Sequence, residues 1–309
     1  MKLTTLLVCY NQINYIDQCL DGILIQRFTE DMEIVVADDY SQDGTLERIK
    51  ERLKFVDIPV YYLDSEKNLG LGKNYLRGIS ACKGEYLAIL EGDDYWTDPE
   101  RLSKHVNFLD HQDQCPMSFN PFKIYYEEEE ELVSTFSSKE KKMNYYGPKI
   151  LINYNVLGNL SACVFRSSML NYIPKEWFEY NITDWFLGIA LAEISPVAQF
   201  SEEMSVYRVS AKGLWSQHSE EIKTAKKENL TYTYDRMLGY RFTREFFGYR
   251  LASKVKNKRD QWIKKVPRIP NRLIIRLFSQ GIIFRMSNVI AQVVPLKIIK
   301  RDVELYKVF

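Results

Sequence analysis

No two of the five cysteines, Cys9, Cys19, Cys82, Cys115 and Cys163, form a C-x-x-C pair. Odd in number and widely scattered, they argue against a disulfide framework or a zinc site and fit a reducing compartment. Long hydrophobic runs are missing too. The nearest, Met286–Leu296, is bounded by Arg285 and Lys297, well short of the roughly 18 apolar residues that signal a bilayer span. The opening MKLTTLLVCYNQ lacks a full signal-peptide core and a small-residue cleavage site, and reads as a buried strand. Nor is there an excess of one charge: 42 Lys+Arg stand against 41 Asp+Glu, a net of +1. No nucleic-acid module accompanies that balance, so no nucleic acid is expected as a partner. Internal repeats and low-complexity linkers are absent.

What is present is an ordinary folding composition. Of 309 residues, 46% are hydrophobic and 27% charged, enough for a real core in one large domain, or one domain with a small appendage. The neutral total hides a split. Residues 241–309 carry 17 Lys+Arg against 4 Asp+Glu, or +13, leaving −12 on residues 1–240. Two surfaces suited to different partners share one chain.

The first 115 residues alternate regularly. Leu3–Cys9, Glu33–Ala37, Pro59–Leu63 and Glu85–Leu90 are short apolar runs. Between them, Tyr15–Gln26, Leu46–Leu53 and Leu71–Cys82 carry helical spacing. Such alternation predicts a parallel sheet with helices on both faces, whose ligands bind beyond the carboxyl ends of the strands. From Met117 the pattern loosens. Lys123–Tyr126 and Ala162–Arg166 look like strands flanking the acidic run Glu127–Glu131, a solvated hairpin tip. Residues 184–194 look helical, Val206–Val209 looks like a strand, and from about residue 216 the chain is helical in character and increasingly basic.

Three loops after predicted strands carry polar groups. They are Tyr10-Asn11, the block Asp38-Asp39-Tyr40-Ser41-Gln42-Asp43-Gly44-Thr45, and Glu91-Gly92-Asp93-Asp94-Tyr95-Trp96. Paired carboxylates at strand ends repel and raise each other's pKa, so a compensating group is expected. For Asp93-Asp94 the natural one is Mn²⁺ or Mg²⁺, which prefer hard oxygen ligands; zinc is disfavoured because no histidine is near. Asp43 and Asp98 read instead as helix caps. The stretch Asn68–Asn74 (NLGLGKN) fails both phosphate-loop patterns: Lys67 and Asn74 break a Walker loop, and Tyr75 breaks a dinucleotide fingerprint.

Six segments in this order resemble the inverting family 2 glycosyltransferases of GT-A fold. They are LLVCYN (Leu6–Asn11), VVADDYSQDGT (Val35–Thr45), NLGLGKN, KGEYLAILEGDDYW (Lys83–Trp96), TDW (Thr183–Trp185) and YRVSAKGLWS (Tyr207–Ser216). The likeness spans roughly residues 1–216 and implies an α/β GT-A domain over 1–235. Residues 1–115 would be its nucleotide-sugar-binding half and 116–235 its acceptor half, with a helical basic appendage over 236–309.

The resemblance also implies roles. Tyr10, Asn11, Asp38 and Asp39 would hold the nucleotide, with Asp39 the partner for a uracil-type N–H. Lys73 stands where the family often has Arg and would contact the diphosphate or base, without Arg's planar fork. Asp93 would bind the ribose or donor sugar and Asp94 the metal, with Glu91 in a leading position more often held by Asp. Asp184 matches the general base, while Thr183 replaces a frequent acidic neighbour and Ser210 a frequent His. Asn159, Arg208 and Trp215 would belong to the acceptor site or a closing lid. The implied activity is metal-dependent transfer from a nucleotide-sugar, expected to be UDP-linked, to a glycan or lipid-linked saccharide in surface-polysaccharide assembly. A nucleotidyltransferase of related fold and a non-catalytic glycan-binding scaffold are the alternatives. The basic segments around Arg272, Arg276 and Arg285 suit an anionic membrane surface. The expected location is therefore cytoplasmic, peripheral on the inner face of the cell membrane.

Overall fold

A computed structural model describes residues 1–136, 142–151, 155–173, 175, 178 and 184–210. Trp215 and the region 236–309 lie outside the described residues. In chain order, β1 (Leu3–Cys9), α1 (Ile16–Leu24), β2 (Met32–Asp38), α2 (Thr45–Arg52), β3 (Val60–Tyr62), α3 (Leu71–Ala81) and β4 (Tyr86–Glu91) form the first half. These are the elements that the apolar runs and helical spacing predict, each within a residue or two. β1 and β2 are buried along their whole length, as strands covered on both faces must be. Helix α1 turns Ile16, Cys19, Leu20 and Ile23 into that core.

The second half contains β5 (Tyr95–Trp96), α4 (Arg101–Asp110), β6 (Met117–Phe119), β7 (Phe122–Tyr126), β8 (Glu131–Ser134), β9 (Asn144–Tyr146) and α5 (Pro148–Leu151). A 3₁₀ turn over Leu160–Ala162 leads into β10 (Cys163–Arg166), followed by α6 (Ser167–Leu170), α7 (Asp184–Ile194), β11 (Val197–Gln199) and β12 (Ser205–Val209). The acidic run is the tip of the β7–β8 hairpin, where Glu130 adopts a positive φ of 52°.

The large sheet runs β3-β2-β1-β4-β10-β6-β11-β9. Its first four strands are mutually parallel, as the sequence predicts. The sheet is mostly rather than wholly parallel: β10 enters antiparallel to both β4 and β6. A second, smaller sheet has the order β5-β12-β7-β8. Strands of two to four residues are too short to show a period, which is why β5, β6 and β11 escape a sequence reading. Helix α4 begins at Arg101, after a turn in which the Asp98 carboxylate accepts the Glu100 N–H at 2.9 Å.

Register is what positions the site. On one side of β1 Cys9 lies opposite Asp38, and on the other Val8 lies opposite Glu91. The segments after β1, β2 and β4 therefore leave the sheet side by side at one edge. There the Asp39 N–H bonds the Cys9 carbonyl and the Gly92 N–H bonds the Val8 carbonyl, both at 2.9 Å. Gly92 has no room for a side chain, since a Cβ would lie 2.2 Å from Gln12 Oε1 and 2.9 Å from Cys9 Cβ.

Candidate active site

The loops after β1 and β2 are latched together. The Asn11 N–H donates to Ser41 Oγ, and Asn11 Oδ1 accepts the Gln42 N–H, both at 2.8 Å. Asn11 and Tyr40 adopt positive φ angles of 52° and 67°. Tyr10 and Tyr40 stand close to half exposed, at 46% and 44%. Asp43 bonds both the Thr45 N–H that opens α2 and the Ile13 N–H, so its capping role also ties in the first loop.

The second-strand aspartates are both 3% exposed but do different work. Asp38 turns inward and accepts the N–H and hydroxyl of Ser41. Asp39 points across to the start of α3, its two oxygens accepting the N–H groups of Leu69 and Gly70 at 2.8 and 2.9 Å. Each carboxylate oxygen has a second lone-pair direction, so Asp39 keeps acceptor capacity at the sheet edge. Lys73 is exposed in the first turn of α3. Two neighbours that sequence reasoning missed anchor this region. Asn74 Nδ2 donates to the Ala37 carbonyl, and Arg77 Nη2 donates to the Asp38 carbonyl, each at 2.7 Å.

The carboxylates after β4 form the electrostatic centre. Burial, then Asp93, pushes Glu91 up to about 7, while its Oε1 accepts the Tyr75 hydroxyl. Burial also raises Asp93 and, together with Asp93 and Glu91, lifts Asp94 well above the usual carboxylate range. Asp94 is 1% exposed. Its Oδ1 accepts the Arg208 N–H at 2.9 Å, and Asn159 Nδ2 approaches Oδ2 at 3.5 Å. Asn159 thus stands beside Asp94 while capping the turn before β10 through the Ala162 N–H.

Ser161 lies inside the same turn, within the Gly158–Ser161 stretch that the resemblance places at the acceptor side. Its Oγ accepts the Glu91 N–H at 3.1 Å and its hydroxyl bonds Asp94. Its carbonyl is held by Trp96 Nε1 at 2.8 Å and Arg101 Nη2 at 3.0 Å. Tyr207 also faces this centre: burial raises the pKa of its hydroxyl, and Asp94, Glu91, Asp93 and Asp184 raise it further. Arg208 was expected at the acceptor site or in a lid. Instead it is 9% exposed on β12, packed behind the carboxylates, because β12 is bonded along its length to β7.

Asp184 opens α7, as its position in the helical run implies. Its Oδ2 accepts Asn155 Nδ2 at 2.7 Å, and burial pushes its pKa up to about 6. It lies near enough to raise Glu91. Asp184, Asn159, Asp93 and Asp94 therefore gather around one acidic centre, with Tyr10, Asn11 and Asp39 along the neighbouring edge.

That centre fits a hard divalent cation by its chemistry: buried carboxylates, raised pKa values and, among the described residues, no histidine beside them. Among the described residues no group of three or more His, Cys, Asp and Glu forms a ready metal cage. A site with one or two carboxylates suits Mg²⁺ or Mn²⁺, which take the remaining oxygens from phosphates and water.

Residues 4–172 match the family described as Glycosyl transferase family 2. A Mycobacterium tuberculosis protein described as uncharacterized is 32% identical over 211 residues, covering 67% of this chain. This chain spans 59% of the length of that relative. An uncharacterized glycosyltransferase of Haemophilus influenzae is 26% identical over 247 residues, 74% of each chain. Among solved structures, residues 1–349 of S. aureus TarS in complex with UDP-GlcNAc share the fold, with a TM-score of 0.57 at 16% identity over 94% of this chain and 89% of that one. The architecture is the GT-A type that the motifs implied. With more than half its length matched by the family pattern, and with the acidic edge where the motifs anticipated it, the chain belongs to glycosyltransferase family 2.

Proposed function

We propose that this chain is a metal-dependent inverting glycosyltransferase, moving a sugar from a UDP-sugar to a glycan or lipid-linked saccharide in surface-polysaccharide assembly. The observation that carries this is the convergence of Asp93, Asp94 and Asp184 on one acidic centre beside the Tyr10, Asn11 and Asp39 edge. A uracil donor is supported by the carboxylate of Asp39, which can accept a ring N–H, and by the UDP-GlcNAc bound to the similarly folded TarS fragment.

Asp184 accepts the proton of the acceptor hydroxyl. The freed oxygen forms a bond to the anomeric carbon on one face, and the bond to the diphosphate breaks on the other, its electron pair leaving with the nucleoside diphosphate. Configuration inverts because one displacement occurs. Asp94 would hold Mn²⁺ or Mg²⁺, which stabilises the charge gathering on the departing diphosphate. Asp93 would orient the ribose or donor sugar, and Lys73 would add positive charge near the phosphates. Asn159 would line the acceptor side.

A panel of nucleotide sugars with Mn²⁺, read by thermal shift and by donor hydrolysis, tests this reading. A UDP-sugar is expected to raise the melting temperature and to be turned over slowly. If no nucleotide sugar or nucleoside diphosphate does either, the reading fails. The basic C-terminal region would hold the enzyme at anionic lipid on the cytoplasmic face of the membrane.

A further inference from the structure

Arg208 has an unusual setting for a buried cation. Its guanidinium lies over three tyrosine rings, with centroids at 4.8 Å for Tyr15, 5.2 Å for Tyr125 and 5.7 Å for Tyr95. All are within reach of a cation–π attraction. Among the described residues no carboxylate forms an ion pair with it. Its hydrogen bonds go instead to neutral oxygens: Nε donates to the Asp93 carbonyl at 3.0 Å, and Nη2 donates to Gln18 Oε1. Its own main-chain N–H donates to Asp94 Oδ1 at 2.9 Å.

The rings come from three places in the chain. Tyr15 precedes α1, Tyr95 lies on β5 and Tyr125 on β7. The enclosure is held in turn, since the Tyr15 hydroxyl donates to Glu127 at 2.9 Å. One side chain therefore touches the backbone of Asp93 and the start of α1, while the same residue's backbone orients the carboxylate of Asp94. A carboxylate partner would have neutralised the guanidinium. The rings hold it by their faces and leave its charge directed at the acidic centre.

We propose that Arg208 is a positioning residue for the Asp93-Asp94 segment, its caged guanidinium fixing the backbone from which these carboxylates meet a metal-bound nucleoside diphosphate. This rests on the glycosyltransferase reading. Outer-shell partners of metal-binding carboxylates commonly change metal affinity by about 10- to 100-fold when lost, and the same range is expected here.

The test is titration of UDP into the full chain with Mn²⁺ and, separately, with EDTA. Arg208→Met removes the charge and keeps the stem. Arg208→Lys keeps a cation over the rings but cannot span the Asp93 carbonyl and Gln18 together. Gln18→Ala, at an exposed position, removes one acceptor without disturbing the core. For Arg208→Met and Arg208→Lys, the gain in UDP affinity on adding Mn²⁺ should shrink about 10-fold or more, beyond any smaller loss in EDTA, where Asp93 alone would meet the nucleotide. Gln18→Ala should show a smaller loss in the same sense. A merely structural role would weaken both affinities by the same factor and leave the Mn²⁺ gain unchanged, and an unchanged gain in variants with intact melting transitions overturns the proposal. Should the arginine variants not fold, an unchanged gain in Gln18→Ala overturns it alone. Wild-type protein that does not bind UDP under either condition would instead sink the glycosyltransferase reading.

Discussion

The role proposed for Asp184 would come at a cost to stability. Burial raises its carboxyl to about 6, so the folded protein holds that proton more tightly than the unfolded chain does. Stability from the protonated form is complete below the usual carboxylate range and is lost as pH rises through about 6. Asp184→Asn is therefore expected to melt like wild type near about pH 4 and to be more stable near about pH 8, by on the order of 1–3 kcal/mol. Calorimetry at the two pH values checks this. Its turnover should fall by about 10²- to 10⁴-fold, the range for a lost general base, with UDP affinity unchanged. Wild-type kcat/KM should decline below about pH 6 as the base becomes protonated. Ser161→Ala removes the acceptor of the Glu91 N–H and a donor to Asp94, leaving buried polar groups short of partners. It should cost about 1–3 kcal/mol in urea unfolding, while Trp96 and Arg101 keep the main-chain carbonyl they bond. The carboxylates themselves were legible in the sequence. For Ser161 the sequence offered only its place beside Asn159, while its bonds to the Glu91 N–H and to Asp94 exist because the fold brings that turn beside them.

Elements pack closely where the site is built, and glycine makes that possible. A Cβ on Gly22 of α1 would lie 2.6 Å from the backbone nitrogen of Trp96 and 2.9 Å from its carbonyl oxygen. The obstacle is β5 main chain, which cannot rotate away, so Gly22→Ala must push α1 off the strand that follows Asp93-Asp94. A loss of about 1–3 kcal/mol is expected, together with weaker Mn²⁺-dependent UDP binding. Gly147→Ala is the control, because a Cβ there meets nothing within 4 Å, and its melting temperature should stay near wild type. At this scale the first four strands and three helices could be read directly, since long apolar runs separated by helical spacing leave few alternatives. The antiparallel entry of β10 and the second sheet could not. They depend on pairing between residues up to about a hundred positions apart, such as Ser205 with Trp96, and no local period encodes such a partner.

Across the whole molecule the charge division remains the outstanding feature: −12 over residues 1–240 and +13 over 241–309. No helix among the described residues is long and apolar enough to cross a membrane. If the basic region meets lipid through charge, the full chain should sediment with vesicles containing anionic lipid and be released as salt is raised, because screening shortens the reach of surface charge. Replacing Arg272, Arg276 and Arg285 together by Glu should abolish sedimentation without altering UDP affinity. Binding to neutral vesicles that persists in high salt would defeat the electrostatic reading.

By itself, the sequence determined the strands and helices of the first half and the sheet edge from which the loops bearing Asp39, Asp93 and Asp94 emerge. It could do so because period and residue type are local properties. Only the tertiary structure decided that Asp38 turns inward to Ser41 while Asp39 holds Leu69 and Gly70. It likewise moved Arg208 from the expected rim into a cage of three tyrosines. The physical reason is common to both. A polar side chain takes its role from the donors and rings that distant segments bring to it, and burial makes those partners obligatory.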